Sequence, residues 1–210
     1  MNDATATGAV MGADGKRRCG WGASSPEYIA YHDDEWGRPV VDDVRLYEKL
    51  CLEGFQSGLS WITILRKRDA FRRAFSGFVP EAVAGFGAAD VERMLGDASI
   101  VRHRGKIEAA INNARATLDV QADVGSLAAL VWRFEPTRQG RPAPQGMGDV
   151  PAKTTESVAL SKELLRRGFR FVGPTTAYAA MQSLGLVNDH IDGCHERAAC
   201  EQARTAAHPR

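Results

Sequence analysis

A hydrophobic repeat of about 3.6 residues runs through most of the chain and predicts an all-α fold. Its clearest instance begins at Asp42 or Asp43, either of which can cap a helix whose apolar face includes Glu53. Gly168 and Gly185 mark two later helix ends, because glycine favours the residue after a helix. Alternation typical of strands is nearly absent. The same repeat predicts further helices over residues 60–75, 90–96, 104–118, 127–134, 157–167 and 174–184.

Three stretches lack this repeat. Residues 1–15 are rich in Ala, Gly and Thr, and we expect a flexible tail there. Residues 135–155 contain four prolines among Gly and Thr and predict a loop. Residues 198–210 are small and polar, and we expect a second flexible tail. Residues 16–197 are therefore predicted to form one compact domain of two closely packed helical halves.

Composition narrows the class of protein. The chain has 210 residues, 44% hydrophobic and 25% charged, which is a globular and not a disordered composition. Lysine and arginine total 27 against 26 acidic residues, so the net charge of +1 excludes a bulk polycation. Any nucleic-acid partner then requires local positive charge. Four widely spaced cysteines, with no signal-peptide or membrane-span pattern, lead us to expect a reduced, cytoplasmic monomer without membrane contact.

Two His/Cys pairs near the ends of the predicted domain could hold a metal ion. Cys19 and His32 lie near its start, while His190 and Cys194, four positions apart, could face one metal from a single helical turn. Two sulfur and two nitrogen ligands suit tetrahedral zinc, and four protein ligands leave no open position, which favours a structural zinc over a zinc hydrolase. The spacing matches no standard zinc finger, so two unrelated pairs, or His195 as a substitute ligand, are alternatives.

Aromatic residues are concentrated in the first third of the chain. Flat aromatic walls can enclose a flat ligand, and electron-rich rings favour a cationic one. A purely structural aromatic core is the alternative. The residues concerned are Trp21, Tyr28, Tyr31, Trp36 and Trp61.

Glu53 lies on the apolar face of its predicted helix, three residues after Leu50 and seven after Leu46. A carboxylate at such a position is costly unless it is paired or used. A buried ion pair would be the structural explanation. Beside an aromatic pocket, Glu53 could instead accept hydrogen bonds from an exocyclic amine or a cationic base.

A tight glycine turn over residues 168–176 joins two predicted helices. Free N–H groups at the start of the second helix can hold a phosphate, which indicates contact with a DNA backbone. Clusters of basic residues support that reading, although each alone is more often a solvated face. The clusters are Arg66-Lys67-Arg68 with Arg72-Arg73, Arg102-His103-Arg104 with Lys106, and Arg166-Arg167 with Arg170.

Long ordered strings of residues resemble the bacterial 3-methyladenine DNA glycosylase I family over roughly residues 18–195. Two departures stand out: Phe55 where some members have a polar residue, which could alter the pocket rim, and the tail before Arg18. The strings are Arg18-Cys19-Gly20-Trp21, Tyr28-Ile29-Ala30-Tyr31-His32-Asp33, Glu35-Trp36-Gly37, Cys51-Leu52-Glu53-Gly54, Gly58-Leu59-Ser60-Trp61-Ile62-Thr63, Arg102-His103-Arg104-Gly105-Lys106-Ile107, Arg167-Gly168-Phe169, Phe171-Val172-Gly173 and Gly185-Leu186-Val187-Asn188-Asp189-His190.

The resemblance implies a helix-hairpin-helix glycosylase fold whose structural zinc joins the N- and C-terminal segments. It implies the same zinc ligands as above, with Glu53 as the catalytic residue. The hairpin would fall on residues 171–176, and Leu59 would be the wedge at the lesion. The implied base pocket is Trp21, Tyr28, Tyr31, Trp36, Glu53 and Trp61, and the implied DNA contacts are Gly58, Leu59, Gly173, Thr175 and Thr176.

The activity implied is base-excision repair of double-stranded DNA. The enzyme would flip out 3-methyladenine and hydrolyse its N-glycosidic bond, leaving an abasic site without strand cleavage. Asp189 could be proposed as a water-activating base, with little support, because its neighbour is an expected metal ligand. A non-catalytic, zinc-stapled DNA-binding module is the alternative, which would not explain a carboxyl facing an aromatic cage.

Overall fold

The computed structural model describes residues 8–137 and 141–207, and this part of the chain is mostly helical. Two three-residue strands form a small antiparallel hairpin that pairs Ala9 with Cys19. Short 3-10 segments cover Gly20–Ala23, Ser76–Phe78, Trp132–Phe134 and Met147–Asp149. None of the described helices is long and apolar enough to cross a membrane. The elements are β1 (Ala9–Met11), β2 (Arg17–Cys19), α1 (Pro26–Asp34), α2 (Asp43–Gln56), α3 (Trp61–Ala74), α4 (Pro80–Ala84), α5 (Ala88–Gly96), α6 (Arg104–Val124), α7 (Leu127–Val131), α8 (Thr155–Arg166), α9 (Pro174–Ser183) and α10 (Arg197–Ala206).

The helices predicted from the apolar repeat are present. The bounds of α3, α5, α8 and α9 agree with prediction to within two residues, and α2 begins at Asp43 as predicted. Helix α6 runs six residues beyond its predicted end because Val120 still packs into the core, and it stops at Gly125, whose φ is +91°. The predicted helix at 127–134 divides into α7 and a 3-10 turn. Both candidate caps are used: Asp42 accepts from the backbone N–H of Arg45 in α2, and Asp43 caps α7 instead.

Two predictions about the ends of the chain are wrong. Residues 198–206 are not a flexible tail, because they belong to α10, which buries Cys200 and Arg204 and ties Arg204 to the carbonyl of Leu186 at 2.7 Å. Residues 9–11 are not a tail either, since they pair with β2, and this hairpin corrects the all-α prediction to mostly helical. Of the two predicted tails, residues 1–7 and 208–210 lie outside the described residues.

Helix α2 occupies the centre of the fold. It packs against α3, α6, α7 and α9, and its residues 46–55 are all buried. A smaller cluster of Cys19, Ile191 and Cys194 lies beside the main core, where the two ends of the domain meet. Glu53 near the end of α2 therefore lies inside the protein.

The turn after α9 brings two backbone segments unusually close. Gly185 has a φ of +76°, and a Cβ built on it would lie 2.6 Å from the backbone of Arg38 and Pro39. The amide of Val40 donates to the carbonyl of Leu184 at 3.0 Å in the same contact. Only glycine fits this junction, which holds the end of α9 against the segment that leads into α2.

Gly185→Ala is expected to lower the free energy of unfolding by about 3 kcal/mol or more, since left-handed strain and a backbone clash add up. Gly125→Ala is the matched control, because Gly125 also has a positive φ but has no atom near its missing Cβ. It should cost about 1 to 2 kcal/mol, as strain alone. Urea denaturation measures both values, and equal losses would contradict the proposed close contact.

Candidate functional site

The six residues predicted to form a base pocket surround one cavity of about 220 Å³. Trp21 comes from the 3-10 turn after β2, the two tyrosines lie one turn apart on α1, and Trp36 follows that helix. Trp61 is the first residue of α3. The full lining is Trp21, Tyr28, Tyr31, Trp36, Glu53, Gln56, Trp61, Met147, Ala179 and Gln182.

The aromatic rings support one another edge to face. The ring of Trp21 lies 5.0 Å from that of Trp36 at 78° and 5.6 Å from that of Tyr28 at 79°. Tyr31 and Trp61 tilt against each other at 5.4 Å, and the hydroxyl of Tyr28 accepts from the amide of Ile62 at 3.1 Å. Such contacts fix ring orientation, so the pocket has rigid, electron-rich walls.

Four lining residues were not predicted. Three of them lie one helical turn from another lining residue on the same helix. Gln56 lies one turn after Glu53 on α2, while Ala179 and Gln182 lie one turn apart on α9. Their helical spacing from one another could have indicated a shared face. Met147 comes from the 3-10 turn inside the predicted loop, where no periodicity points to it.

Glu53 is 5% exposed and is the acidic residue in the pocket lining. Burial raises the pKa of its carboxyl to about 7, while the charge of Lys49 and the hydroxyl of Ser183 act in the opposite direction. The structure thus brings Glu53 into the aromatic pocket. A buried acceptor of this kind binds amine N–H groups or a cationic ring strongly, because few waters compete.

Phe55 does not reach the pocket rim. Its side chain is 1% exposed and packs against Phe71 at 4.6 Å and Phe75 at 5.8 Å, in the core between α2 and α3. The expectation that Phe55 alters the pocket is therefore wrong, because its place on α2 turns it away from Glu53.

Asp189 is unsuited to activate water. It is 1% exposed and accepts hydrogen bonds from Arg141 at 2.6 Å, the Tyr178 hydroxyl at 2.6 Å and the Gln182 side-chain amide at 2.9 Å. These donors occupy the carboxylate, which has a structural role. They also fix Gln182, since its NH₂ group must face Asp189.

Cys19, His32, His190 and Cys194 form one buried cluster, whose candidate ligand atoms lie within 4.8 Å of one another. Nδ1 of His190 lies 3.4 Å from the sulfur of Cys194 and 3.7 Å from that of Cys19. Nε2 of His32 lies 3.5 Å from the Cys194 sulfur. Zinc bond lengths place tetrahedral S and N ligands roughly 3.5 Å apart, so the four residues fit such an ion.

The outer nitrogen of each histidine faces an acceptor. Nε2 of His190 lies 3.1 Å from the carbonyl of Trp36, and Nδ1 of His32 lies 2.8 Å from Asp33. Partners of this kind orient metal-binding imidazoles. The expectation of a helical turn between His190 and Cys194 is wrong: the two lie in a tight turn in which the Cys194 amide donates to the carbonyl of Ile191.

His195 is not one of these four residues, although it lies near one of them, His32. It lies 3.2 Å from Asp33 and 3.2 Å from Glu196, and with His32 and Asp33 it forms a second, less buried group. The geometry therefore favours Cys194 over His195 as the ligand.

A cleft of about 240 Å³ adjoins the aromatic pocket and shares Glu53, Gln56 and Ala179 with it. Four of the five predicted DNA-contacting residues line it, while the fifth, Gly173, precedes α9. Leu59 is 42% exposed at its edge. The lining is Glu53, Gln56, Ser57, Gly58, Leu59, Thr175, Thr176 and Ala179.

The turn between α8 and α9 is held by α6. Asn113 pairs with both backbone groups of Arg170, and Asn112 donates to the carbonyl of Gly168 at 2.6 Å. Phe171 has a φ of +57° and is 40% exposed. A strained, exposed aromatic on a clamped turn indicates a surface kept for contact with a ligand.

Most of the basic clusters are neutralised by acidic partners. Lys106 is buried and donates to the carbonyls of Phe55 and Ser57, so it supports the end of α2. Arg73, Arg102 and Arg170 are exposed, and none of them forms an ion pair with another residue in the part of the chain that the structure describes. The paired arginines are Arg66 with Glu27, Arg68 with Glu35, Arg72 with Glu48, Arg104 with Glu92, and Arg166 and Arg167 with Glu163.

A buried carboxyl among electron-rich rings is suited to bind a flat, cationic ligand. The pattern of the methyladenine glycosylase family matches residues 21–197, and the chain belongs to that family. The resemblance seen in the sequence motifs is confirmed.

Named relatives agree with this assignment. The chain is 49% identical over 177 residues to DNA-3-methyladenine glycosylase 1 of Escherichia coli (strain K12), covering 84% of the chain and 95% of the relative. It is 44% identical to DNA-3-methyladenine glycosylase of Haemophilus influenzae (strain ATCC 51907 / DSM 11121 / KW20 / Rd), with 84% and 96% covered.

Solved structures agree as well. A crystal structure of 3-methyladenine DNA glycosylase I superposes with a TM-score of 0.80 at 49% identity, covering 85% of this chain and 98% of the other. The enzyme from Staphylococcus aureus, in a structure on 3-methyladenine recognition, gives 0.80 at 35% identity, covering 86% and 96%.

The four-residue cluster predicts one tightly bound divalent metal ion per chain. Cys194→Ala removes one of four ligands and should lose most of this metal and lower the unfolding temperature. His195→Ala is the matched control and should keep the metal. Elemental analysis of the purified proteins measures the content, and a Cys194→Ala variant that retains one ion would contradict the assignment.

Proposed function

We propose that this chain excises 3-methyladenine from double-stranded DNA by hydrolysis of the N-glycosidic bond, as the names of its relatives indicate. The observation that carries the proposal is Glu53, a buried carboxyl in the lining of an aromatic pocket. A methyl group at N3 makes this base a flat cation. Electron-rich rings and a carboxylate attract such a ligand more than they attract a neutral base.

The mechanism begins with base flipping, because the glycosidic bond cannot be reached inside the duplex. Trp21, Trp36 and Trp61 enclose the flipped base, while Glu53 accepts hydrogen bonds from its amine edge. The C1′–N9 bond breaks, its electron pair neutralises the base, and the sugar becomes oxocarbenium-like. Water then adds at C1′ and loses a proton to solvent. A cationic leaving group needs no strong general acid.

We propose a monofunctional enzyme, in which no lysine attacks the sugar. Strand cleavage by a glycosylase requires a free amine that forms a Schiff base with the sugar. The Lys106 ammonium is occupied by two backbone carbonyls, and Lys49 is buried behind Tyr31. The pocket lining contains no lysine. Water is therefore the nucleophile, and an abasic site is the product.

We propose that the DNA-binding face comprises the cleft beside the pocket and the turn between α8 and α9, which acts as the hairpin of a helix-hairpin-helix motif. Leu59 inserts into the gap that the flipped base leaves. Gly58, with a φ of +81° and open space around it, lets the backbone turn close to the duplex. Thr175 and Thr176 line the cleft beside the start of α9, where free amides favour phosphate.

We propose zinc as the metal of the four-residue cluster, with a structural role. Two thiolates and two imidazoles are a preferred zinc donor set, and their burial fills the coordination shell with protein ligands. Zinc would tie Cys19 before α1 and His32 on α1 to the segment after α9. All chemistry at the base is left to Glu53 and the aromatic residues.

Release of free base from methylated duplex DNA tests the activity. Wild-type protein should release 3-methyladenine and leave 7-methylguanine, and Glu53→Gln should slow release roughly 10- to 100-fold through the loss of a charged hydrogen bond. Folded, metal-loaded wild type that binds DNA but releases no base would contradict the enzyme and favour a non-catalytic, zinc-stapled DNA-binding module.

Binding to duplex DNA with an abasic-site analogue tests the proposed DNA-binding face. Arg170→Ala should weaken binding at low salt and lower the salt dependence by about one phosphate contact. Arg166→Ala is the matched control, because Glu163 already neutralises Arg166, and it should change little. Fluorescence anisotropy across a salt series measures both, and equal losses would contradict this choice of surface.

A further inference from the structure

Lys49 is a buried amine that the proposed mechanism does not use. It is 6% exposed and lies on α2, one turn before Glu53. Its Nζ donates to the hydroxyl of Tyr31 at 3.0 Å and lies 4.4 Å from the centre of that ring. The ring of Trp61 is 5.5 Å away. The ammonium therefore lies directly behind two walls of the pocket without lining it.

Three acidic residues lie near Lys49, and two of them, Glu35 and Glu48, are already paired with arginines. Glu35, after α1, is held by Arg68 of α3 through two hydrogen bonds of 2.6 and 2.7 Å. Glu48, the neighbour of Lys49 on α2, is paired with Arg72 of α3 at 2.8 Å.

Among the described residues Glu53 forms no ion pair with an arginine, and the α9 residues beside it, Ala179, Gln182 and Ser183, are uncharged. Residues one helical turn apart have Cβ atoms about 5 to 6 Å from each other, which is close enough for strong coupling.

The chemistry of the ammonium also fixes the direction of a hydrogen bond. Lys49 is a donor only, so the Tyr31 oxygen must accept from it. The hydroxyl proton of Tyr31 is then free to be donated elsewhere. Since Tyr31 and Glu53 line the same pocket, one cation acts on two groups that face the ligand.

We propose that Lys49 is a positioning residue for the base pocket: its charge holds Glu53 as a carboxylate, and its hydrogen bond directs the Tyr31 hydroxyl to act as a donor. This inference rests on the proposed function. Burial raises the pKa of Glu53 to about 7 and lowers that of Lys49 to about 8, so both groups titrate near neutrality.

The pocket then binds and excises the cationic base only in the pH range where Glu53 is ionised and Lys49 is protonated. Below this range Glu53 gains a proton and no longer attracts a cation. Above it Lys49 loses its proton, its free amine can accept from Tyr31, and the hydroxyl no longer donates to the ligand. Activity against pH is expected to be bell-shaped, with one limb from each residue.

Two measurements on wild type, Lys49→Met, Lys49→Arg and Glu53→Gln test this inference. The first follows the carboxyl carbon of Glu53 by NMR in the free protein, with Glu53→Gln identifying the signal. The second follows single-turnover release of 3-methyladenine between about pH 5.5 and 9.5.

Lys49→Met should raise the midpoint of Glu53 titration and of the acidic limb by about 1 to 2 pH units, and should remove the basic limb. Lys49→Arg should keep the acidic limb and remove the basic one, because a guanidinium does not deprotonate.

Several results would overturn the inference. A Lys49→Met profile scaled down by a constant factor, with both limbs and the NMR midpoint unmoved, would make Lys49 merely structural. If Lys49→Met fails to fold, a basic limb retained in Lys49→Arg decides against the proposal. Failure of the proposed function looks different, since wild type would release no base or Glu53→Gln would keep the acidic limb, while the NMR titration still tests Lys49.

Discussion

Burial of two thiols and two imidazoles in one cluster is the constraint on which the rest of the structure depends. Groups of this kind are costly away from water unless each finds a partner, so the segments that carry them must meet in one arrangement. Cys19 and His190 are 171 positions apart, yet they lie in contact. The wall of the pocket starts from this cluster, because Trp21 follows Cys19 by two residues and the carbonyl of Trp36 faces His190. The same side chains that join the two ends of the domain thus help to position the aromatic rings of the pocket.

A second constraint is the balance of charge on α2. This helix is surrounded by other helices, yet it carries two acids and a lysine toward the interior. The arginines of α3 neutralise Glu48 on α2 and Glu35 beside it, which confines the unbalanced part of the network to Lys49 and Glu53. Desolvation of Glu53 costs stability, as its raised pKa shows, and that cost is concentrated in the pocket lining. Functional sites are where such local violations of good packing are expected.

Much of this could be predicted from the sequence, and the failures have physical causes. Helices α2 and α9 could be predicted because apolar residues recur in them at helical spacing and clear signals mark their ends, an aspartate cap before α2 and Pro174 and Gly185 around α9. Helix α10 was missed because its buried residues are a cysteine and an arginine among small polar residues, so no apolar stripe exists to be read. The six pocket residues and the four Cys/His residues could be selected as candidate site residues from their chemical type and their positions in the sequence. The remaining lining residues, such as Gln182, depend on how α9 packs beside α2, which is a property of the tertiary fold.

The basic residues show most clearly why composition and spacing cannot predict which part of the surface contacts DNA. The chain contains several arginine clusters of similar density, and spacing gives no reason to prefer one. In the fold, acidic partners neutralise Arg66, Arg104 and Arg166, whose ion pairs are largely exposed and contribute little stability. Their effect is instead to neutralise the positive charge at these three positions. Arg170 stays exposed in the turn between α8 and α9, on the face that we propose for DNA. A net charge near zero is therefore compatible with DNA binding, provided that the unpaired cations lie next to the pocket.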